Sequence, residues 1–188
     1  MKATIISEKN HFPVLLNELI SIISPLYGGT FIDCTFGQGG YSKKILSNKN
    51  NKVVALDRDP ETLIEAKKLL KKYKGRFRFE NEKFSNINEL KISDQNLKAI
   101  IFDLGYSTSQ INDSKKGLSF NSKGKLNMRL GKNFFSADDA INKLSYENLN
   151  KVFKFFGDEQ KSKIIARNII KKRLKKKILS EDLVNIIA

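Results

Sequence analysis

Three glycines in four positions, Gly37, Gly39 and Gly40, follow an acid-terminated apolar run in FIDCTFGQGGYSKKIL (31–46). A turn without side chains lets backbone amides approach a ligand closely, and the amides that open the following helix can donate to an anionic or strongly polar group. Asp57 closes the next apolar run, 20 residues after Gly37, a separation at which a carboxylate can accept both hydroxyls of a ribose. A third acid, Asp103, ends KAIIFD (98–103). Bare amides between strand-terminal carboxylates describe a pocket for an adenosine-containing cofactor.

Such a pocket needs strands that stop together and helices that start beside them. TFIDC (30–34), KVVALD (52–57), RFRFE (76–80) and KAIIFDLG (98–105) read as strands, with RFRFE at an edge because it alternates. VLLNELISIISPL after Pro13, with a stripe of Leu15, Leu16, Leu19, Ile20, Ile22, Ile23 and Leu26, reads as a helix before the first strand, and Tyr41 to Leu46 reads as a helix after it. A third helix is capped by Asp59, has Pro60 at its first position, and turns Leu63, Ala66, Leu70 and Tyr73 inward. Strands alternating with helices predict an α/β fold with a parallel sheet covered on both faces. In such sheets ligands sit outside the carboxyl ends of the strands, where strand order reverses.

The texture changes after Gly105. Residues 106–133 are rich in Ser, Asn, Gly and Lys without a period and read as a long functional loop. The remainder reads as helical: SADDAINKL with a Ser-x-x-Asp cap, SYENLNKVFKFF before Gly157, and a basic helix whose apolar face is Ile164, Ile165, Ile169 and Ile178. Ser180 reads as the cap of a last helix, which the chain leaves after about two turns. The boundaries are therefore 1–105 for the cofactor-binding part and 106–188 for a loop plus helical insert. With only four strands the sheet is expected to be incomplete, leaving the fourth strand as an exposed edge.

The composition, 40% apolar with 13 Phe, 11 Gly and three Pro, is globular. The single cysteine, Cys34, excludes a disulfide framework and reads as a small core residue, with no partner set for a metal. No apolar run approaches the ~20 residues of a membrane span; the expected compartment is the cytoplasm. The net charge of +15 favours polyanions, although 29 Lys against 6 Arg also fits a solvated lysine coat. The run KKRLKKK (171–177) is a candidate phosphate contact.

A nicotinamide site would ask for G-x-G-x-x-G, and the sixth position here is Ser42. An acid, a looser glycine cluster and an acid at the next strand end instead resemble the S-adenosyl-L-methionine site of class I methyltransferases. Read in order, HFPVLLNELI, DCTFGQGGYSKKIL, VVALDRDP, EKFSNI, DLGYSTSQI and GLSFNSKGKLNMRLG resemble the ribosomal small-subunit RNA methyltransferase family RsmH, also called MraW. That resemblance implies a Rossmann-like class I methyltransferase fold interrupted after the fourth strand by a helical domain. The implied activity is methyl transfer from S-adenosyl-L-methionine to the N4 amine of a cytidine in 16S rRNA of the small ribosomal subunit.

By the same resemblance Gly39, Gly40 and Tyr41 line the methionine end of the cofactor, Gly37 belongs to the same cofactor-binding turn, Asp57 binds ribose, Phe84 lies by the adenine, and Asp103 and Gln110 close the site. Asp103, Asn127 and Arg129 are the implied catalytic residues, and Tyr106 is a candidate to stack on the base. Two positions depart from the family's usual pattern: Tyr41 stands where a His is usual, and Asn127 where Leu126-Asn127-Met128-Arg129-Leu130 usually carries an acid. His11, in the family's opening motif, reads as structural or as part of the pocket rim. Two other classes stay open on the residues alone, a nicotinamide dehydrogenase and a non-enzymatic RNA-binding module.

Overall fold

The computed structural model describes residues 13–92, 96–131 and 133–188. Two compact units, Met1–Gly105 and Tyr106–Ala188, divide the chain.

In the first unit, β1 (Gly29–Asp33), β2 (Asn51–Leu56), β3 (Phe77–Glu80) and β4 (Leu97–Ile101) form one parallel sheet in the order β3-β2-β1-β4. Successive strands run outward from β1 to β2 and β3, and β4 then joins on the other side of β1. The order therefore reverses at β1, and the turn that follows β1 is the glycine turn. Alternation along β1 sends Phe31 to one face and Ile32 to the other, and both are buried because the sheet is covered on both faces. The larger core joins Phe31, Val53, Ala55, Phe77 and Ile101 of the strands to Phe36 and to three helices, α1 (Leu16–Ile23), α2 (Gly40–Leu46) and α3 (Leu63–Lys72). Ile32, Cys34 and Leu56 form the smaller one, against Ile87, Leu90, Ile92 and Leu97. The β4 edge carries no strand beyond it among the described residues, as expected for an incomplete Rossmann-like sheet.

The helical faces are narrower than the sequence pattern suggests. On α1 the packed set is Leu16, Leu19, Ile20 and Ile23, while Leu15, Ile22 and Leu26 are exposed. One i, i+3, i+4, i+7 stripe fits against the core, and the additional apolar residues fall outside it. Asp59 does cap, accepting from the Glu61 amide at 3.1 Å, but the first turn, Pro60–Thr62, is a 3₁₀ turn. Three residues per turn there alter the phase of α3, so Ala66 and Leu69 point inward and Leu70 outward.

In the second unit, α4 (Thr108–Asn112) lies within the segment read as a structureless loop. Further along, that segment is tied down: the Met128 amide donates to the Lys116 carbonyl at 2.6 Å, and the Asp138 amide donates to the Leu126 carbonyl at 2.6 Å. Next come α5 (Ala137–Lys143), α6 (Tyr146–Lys151) running into a π-helical turn at Val152–Phe156, α7 (Ser162–Arg173) and α8 (Ser180–Ile187). Ser136 and Asp139 form a reciprocal capping box at α5. Leu126, Ile141, Leu149, Ile165, Ala166, Ile169 and Ile178 make the core. Ile164 is exposed, since Ala166 and Ile169 complete the inward stripe with Ile165. Ser180 is not the cap of α8 but its first residue: the cap position is Leu179, whose amide donates to Asp182, while the Ser180 hydroxyl donates to the Gly124 carbonyl at 3.0 Å.

Candidate active site

The parallel register ends β1, β2 and β4 level with one another, Asp33 opposite Ala55 and Ile101, so the residues after all three strands gather at one end of the sheet. Two short bonds join the three strand ends. The Gly37 amide donates to Asp57 Oδ2 at 2.7 Å, fastening the glycine turn to the residue after β2. The Asp103 amide donates to Thr35 Oγ1 at 2.8 Å, fastening the residues after β4 to the same turn from the other side. Asp57 and Asp103 are thus held by residues two positions apart in one turn, on the glycine side of the sheet.

Both oxygens of Asp57 accept backbone amides, Oδ2 from Gly37 and Oδ1 from Asp59 at 2.8 Å, which fixes the carboxylate while leaving a lone pair on each for hydroxyl donors. Burial raises the Asp57 pKa, and these two amides oppose the rise. Asp33, fully buried behind it, accepts from the Ser42 hydroxyl at 2.7 Å and the Thr35 amide at 3.3 Å. Burial pushes its carboxyl up to about 6 against the pull of those bonds, and the charge of Asp57 adds to the rise. Asp33 therefore supports the turn from below rather than facing a ligand, and Ser42, Asp33, Thr35 and Asp103 form a chain of hydrogen bonds across the strand ends.

The three glycines differ in what their bareness serves. Gly37 and Gly39 have positive φ, 53° and 73°. A Cβ on Gly40 would lie 2.1 Å from Pro13 Cγ, and one on Gly39 2.8 Å from the Phe36 ring, so these two admit the protein's own side chains. At Gly37 a Cβ would meet only the Thr35 carbonyl, at 3.9 Å. Open space at Gly37, beside an anchored carboxylate with free lone pairs, fits the ribose portion of a nucleoside cofactor.

Tyr41 is buried in the core; its hydroxyl donates to the Val14 carbonyl and lies beside the Asp103 carboxylate. Burial, and then the Asp103 charge, push the phenol up to about 12, so Tyr41 stays protonated as a neutral neighbour of that acid. Phe84 stands edge-on to Phe102 with centroids 5.5 Å apart, next to Asp103 in the chain, and keeps 39% of its surface exposed. Cys34 is buried and free, with its thiol pushed up to about 11 by burial, as suits an inert core residue. Among the described residues no group of three or more His, Cys, Asp or Glu is arranged to hold a metal, and His11 lies outside those residues.

The remaining candidates belong to the second unit. Asn127 Oδ1 accepts from Arg129 Nε at 2.6 Å, and Arg129 also donates to the Asn133 carbonyl at 3.2 Å, so the two form one fixed pair. Met128 between them has φ 49°, a left-handed conformation accompanied by the hydrogen bond that its N–H donates to the Lys116 carbonyl. Gln110 accepts through Oε1 from the Ser107 amide at 3.0 Å, bracing the start of α4, and Tyr106 is exposed. Sequence reasoning missed Thr35, Ser42 and Phe102. A hydroxyl in CTFG or GYSK carries no pattern of its own, and only the folded strand ends show what it bonds.

The sequence model of the MraW methylase family matches residues 8–188. Among curated relatives, "Ribosomal RNA small subunit methyltransferase H" of Orientia tsutsugamushi (strain Ikeda) is 40% identical over 178 residues, 94% of this chain and 57% of that protein. The protein of the same name from Zymomonas mobilis is 40% identical over 165 residues, 87% of this chain and 50% of its own length. That of Rickettsia bellii (strain OSU 85-389) is 38% identical over 166 residues, 88% and 54%. The chain thus spans about half the length of the curated relatives it matches. A family match over nearly every residue, together with strand-terminal carboxylates fastened to a glycine turn, leads to one conclusion: the chain belongs to the MraW methylase family.

Proposed function

We propose that this chain is the cofactor-binding and helical part of an S-adenosyl-L-methionine-dependent methyltransferase that modifies the N4 amine of a cytidine in 16S rRNA of the small ribosomal subunit, in the cytoplasm. The observation that carries the reading is the attachment of Asp57 and Asp103 to opposite ends of the Thr35–Gly37 turn at the level strand ends. The names of the relatives support the substrate.

Asp57 would hold the ribose hydroxyls through its free lone pairs beside the open Gly37, Gly39 to Tyr41 the methionine portion, and Phe84, beside Phe102, the adenine. S-adenosyl-L-methionine supplies a methyl group already activated on a sulfonium. The residues' task is therefore positioning and water exclusion. A cytosine exocyclic amine is a poor nucleophile because its lone pair is delocalised into the ring. Accepting a hydrogen bond from that amine at Asp103 turns the lone pair toward the methyl and gives the departing proton an acceptor. An amide is no base at neutral pH, so Asn127, where the family usually carries an acid, would serve with Arg129 and Tyr106 to hold the RNA rather than to take a proton. Flipping or single-strandedness of the target gives access.

The test is calorimetric titration of the chain with S-adenosyl-L-methionine and, separately, with NADH, followed by transfer of labelled methyl to immature small subunits. The expected result is binding of the methyl donor in preference to NADH, weakened about 100-fold by Asp57→Ala on the scale of two lost charge-assisted hydrogen bonds. Asp103→Asn is expected to abolish transfer while retaining cofactor. Tighter binding of NADH would replace this reading with a dehydrogenase, and RNA binding without cofactor binding would replace it with a non-catalytic RNA module.

A further inference from the structure

The helical unit carries seven consecutive residues, 171–177, of which six are cationic, and the structure separates those that stabilise the fold from those that do not. Asp182 pairs with Lys176 at 2.8 Å and Lys172 at 3.3 Å, Asp138 pairs with Lys177 at 2.7 Å, and Arg173 donates to the Ile141 carbonyl at 3.2 Å. These contacts tie α7 and the following turn to α5 and α8. Lys171 and Lys175 take part in none of them: both are exposed, and neither has an acidic partner among the described residues.

The two unpaired lysines line the same groove. An open groove of about 310 Å³ between α7 and α8 is lined by Asn168, Lys171, Lys172 and Lys175 and, from α8, by Asn185 and Ile186. Asn168, Lys171 and Lys172 share one face of α7 at i, i+3, i+4 spacing, and Lys175, in the turn that follows α7, lines the same groove. No carboxylate lines it. Its polar wall offers ammonium groups and amides, and neither Asn168 nor Asn185 spends its side chain on a partner within the described residues. A solvated lysine coat would spread its charge over convex surface. Here two lysines without acidic partners border one groove, which favours an anion within it.

We infer that the α7–α8 groove is a binding site for the phosphodiester backbone of RNA, with Lys171 and Lys175 as its phosphate contacts and Asn168 and Asn185 as supporting donors. Lys171, in the last turn of α7, and Lys175, in the turn that follows, border one groove and can each meet a phosphate of one strand. Contacts of this kind position a nucleic acid without reading its sequence. The site rests on the proposed rRNA reading for the identity of its polyanion, but not on cofactor binding or methyl transfer.

The test is fluorescence anisotropy of the whole chain with a labelled single-stranded RNA of about 20 nucleotides, a length exceeding one site's footprint, across a range of salt. Lys171→Gln/Lys175→Gln is expected to weaken binding roughly tenfold at about 100 mM salt, and to make the slope of log K against log salt shallower by about 1.4, at ~0.7 per lost contact. Lys67→Gln/Lys71→Gln on α3 removes equal charge from exposed positions elsewhere and is expected to change affinity less than about twofold. Both pairs are solvent-exposed, and circular dichroism is expected to show unchanged helix content. Equal weakening by the two pairs, or none by the α7 pair, overturns the site. Groove-dependent capture on anionic vesicles that RNA does not displace overturns it in favour of a membrane surface. If the methyl donor fails to bind while the α7 pair alone weakens RNA binding, the proposed function falls and this site stands.

Discussion

Thr35 shows how one hydroxyl can align two strand ends. Its Oγ1 is the acceptor for the Asp103 amide, so Thr35→Val removes the partner of a partly buried donor without changing shape. We expect Thr35→Val to lose about 1–2 kcal/mol in urea denaturation and Thr35→Ser, which keeps the acceptor, to lose less than about 0.5. Equal losses would mean that the hydroxyl does not matter. Asp33 makes a pH-dependent prediction. Its carboxyl rises from the ordinary 3.8 to about 6 when the chain folds, so between those values the folded state holds the proton more tightly. Stability from this group therefore falls as pH rises from about 4 to about 6, by on the order of 3 kcal/mol, and stays lower above. Asp33→Asn cannot titrate. The stability difference, wild type minus variant, is expected to become more negative between pH 4 and pH 7, and a difference independent of pH would show that Asp33 is not desolvated as described.

At the scale of elements, the entry of α2 beneath β1 depends on Pro13 seating against Gly40. Gly40→Ala would push a methyl to 2.1 Å from the proline ring, so α2 or the chain before α1 must move. The expected cost is about 1–3 kcal/mol in thermal or chemical unfolding, with Ser42 drawn away from Asp33 as α2 shifts. A neutral result would show that the chain ahead of α1 yields freely.

For the whole molecule, the open question is the outer edge of β4. Ile100 and Phe102 are 44% and 49% exposed, and no described strand pairs beyond them. An apolar, unpaired edge recruits other edges, so sedimentation velocity is expected to show association that increases with concentration. Ile100→Lys, which places a charge on that edge, is expected to suppress it. A monodisperse wild-type chain at high concentration would mean that the edge is already covered.

Local chemistry made much of this protein legible from sequence alone. Short apolar runs ending in acids became β1, β2 and β4, with Asp33 the last residue of β1 and Asp57 and Asp103 just beyond β2 and β4, because strands of a helix-covered parallel sheet are rich in apolar residues. The Ser136 cap and the glycine turn were legible for the same reason: their signals lie within four residues. Tertiary structure alone decided which residues of a broad apolar stripe face inward, as with Leu69 over Leu70 and Ile165 over Ile164, because the phase depends on how a helix begins and what it packs against. It also decided that Gly40 makes room for Pro13, that Thr35 holds Asp103, and that Lys171 and Lys175 are left over when their neighbours pair. Each of these joins residues distant in sequence or sorts identical residues by their neighbours, and one-dimensional spacing carries neither kind of information.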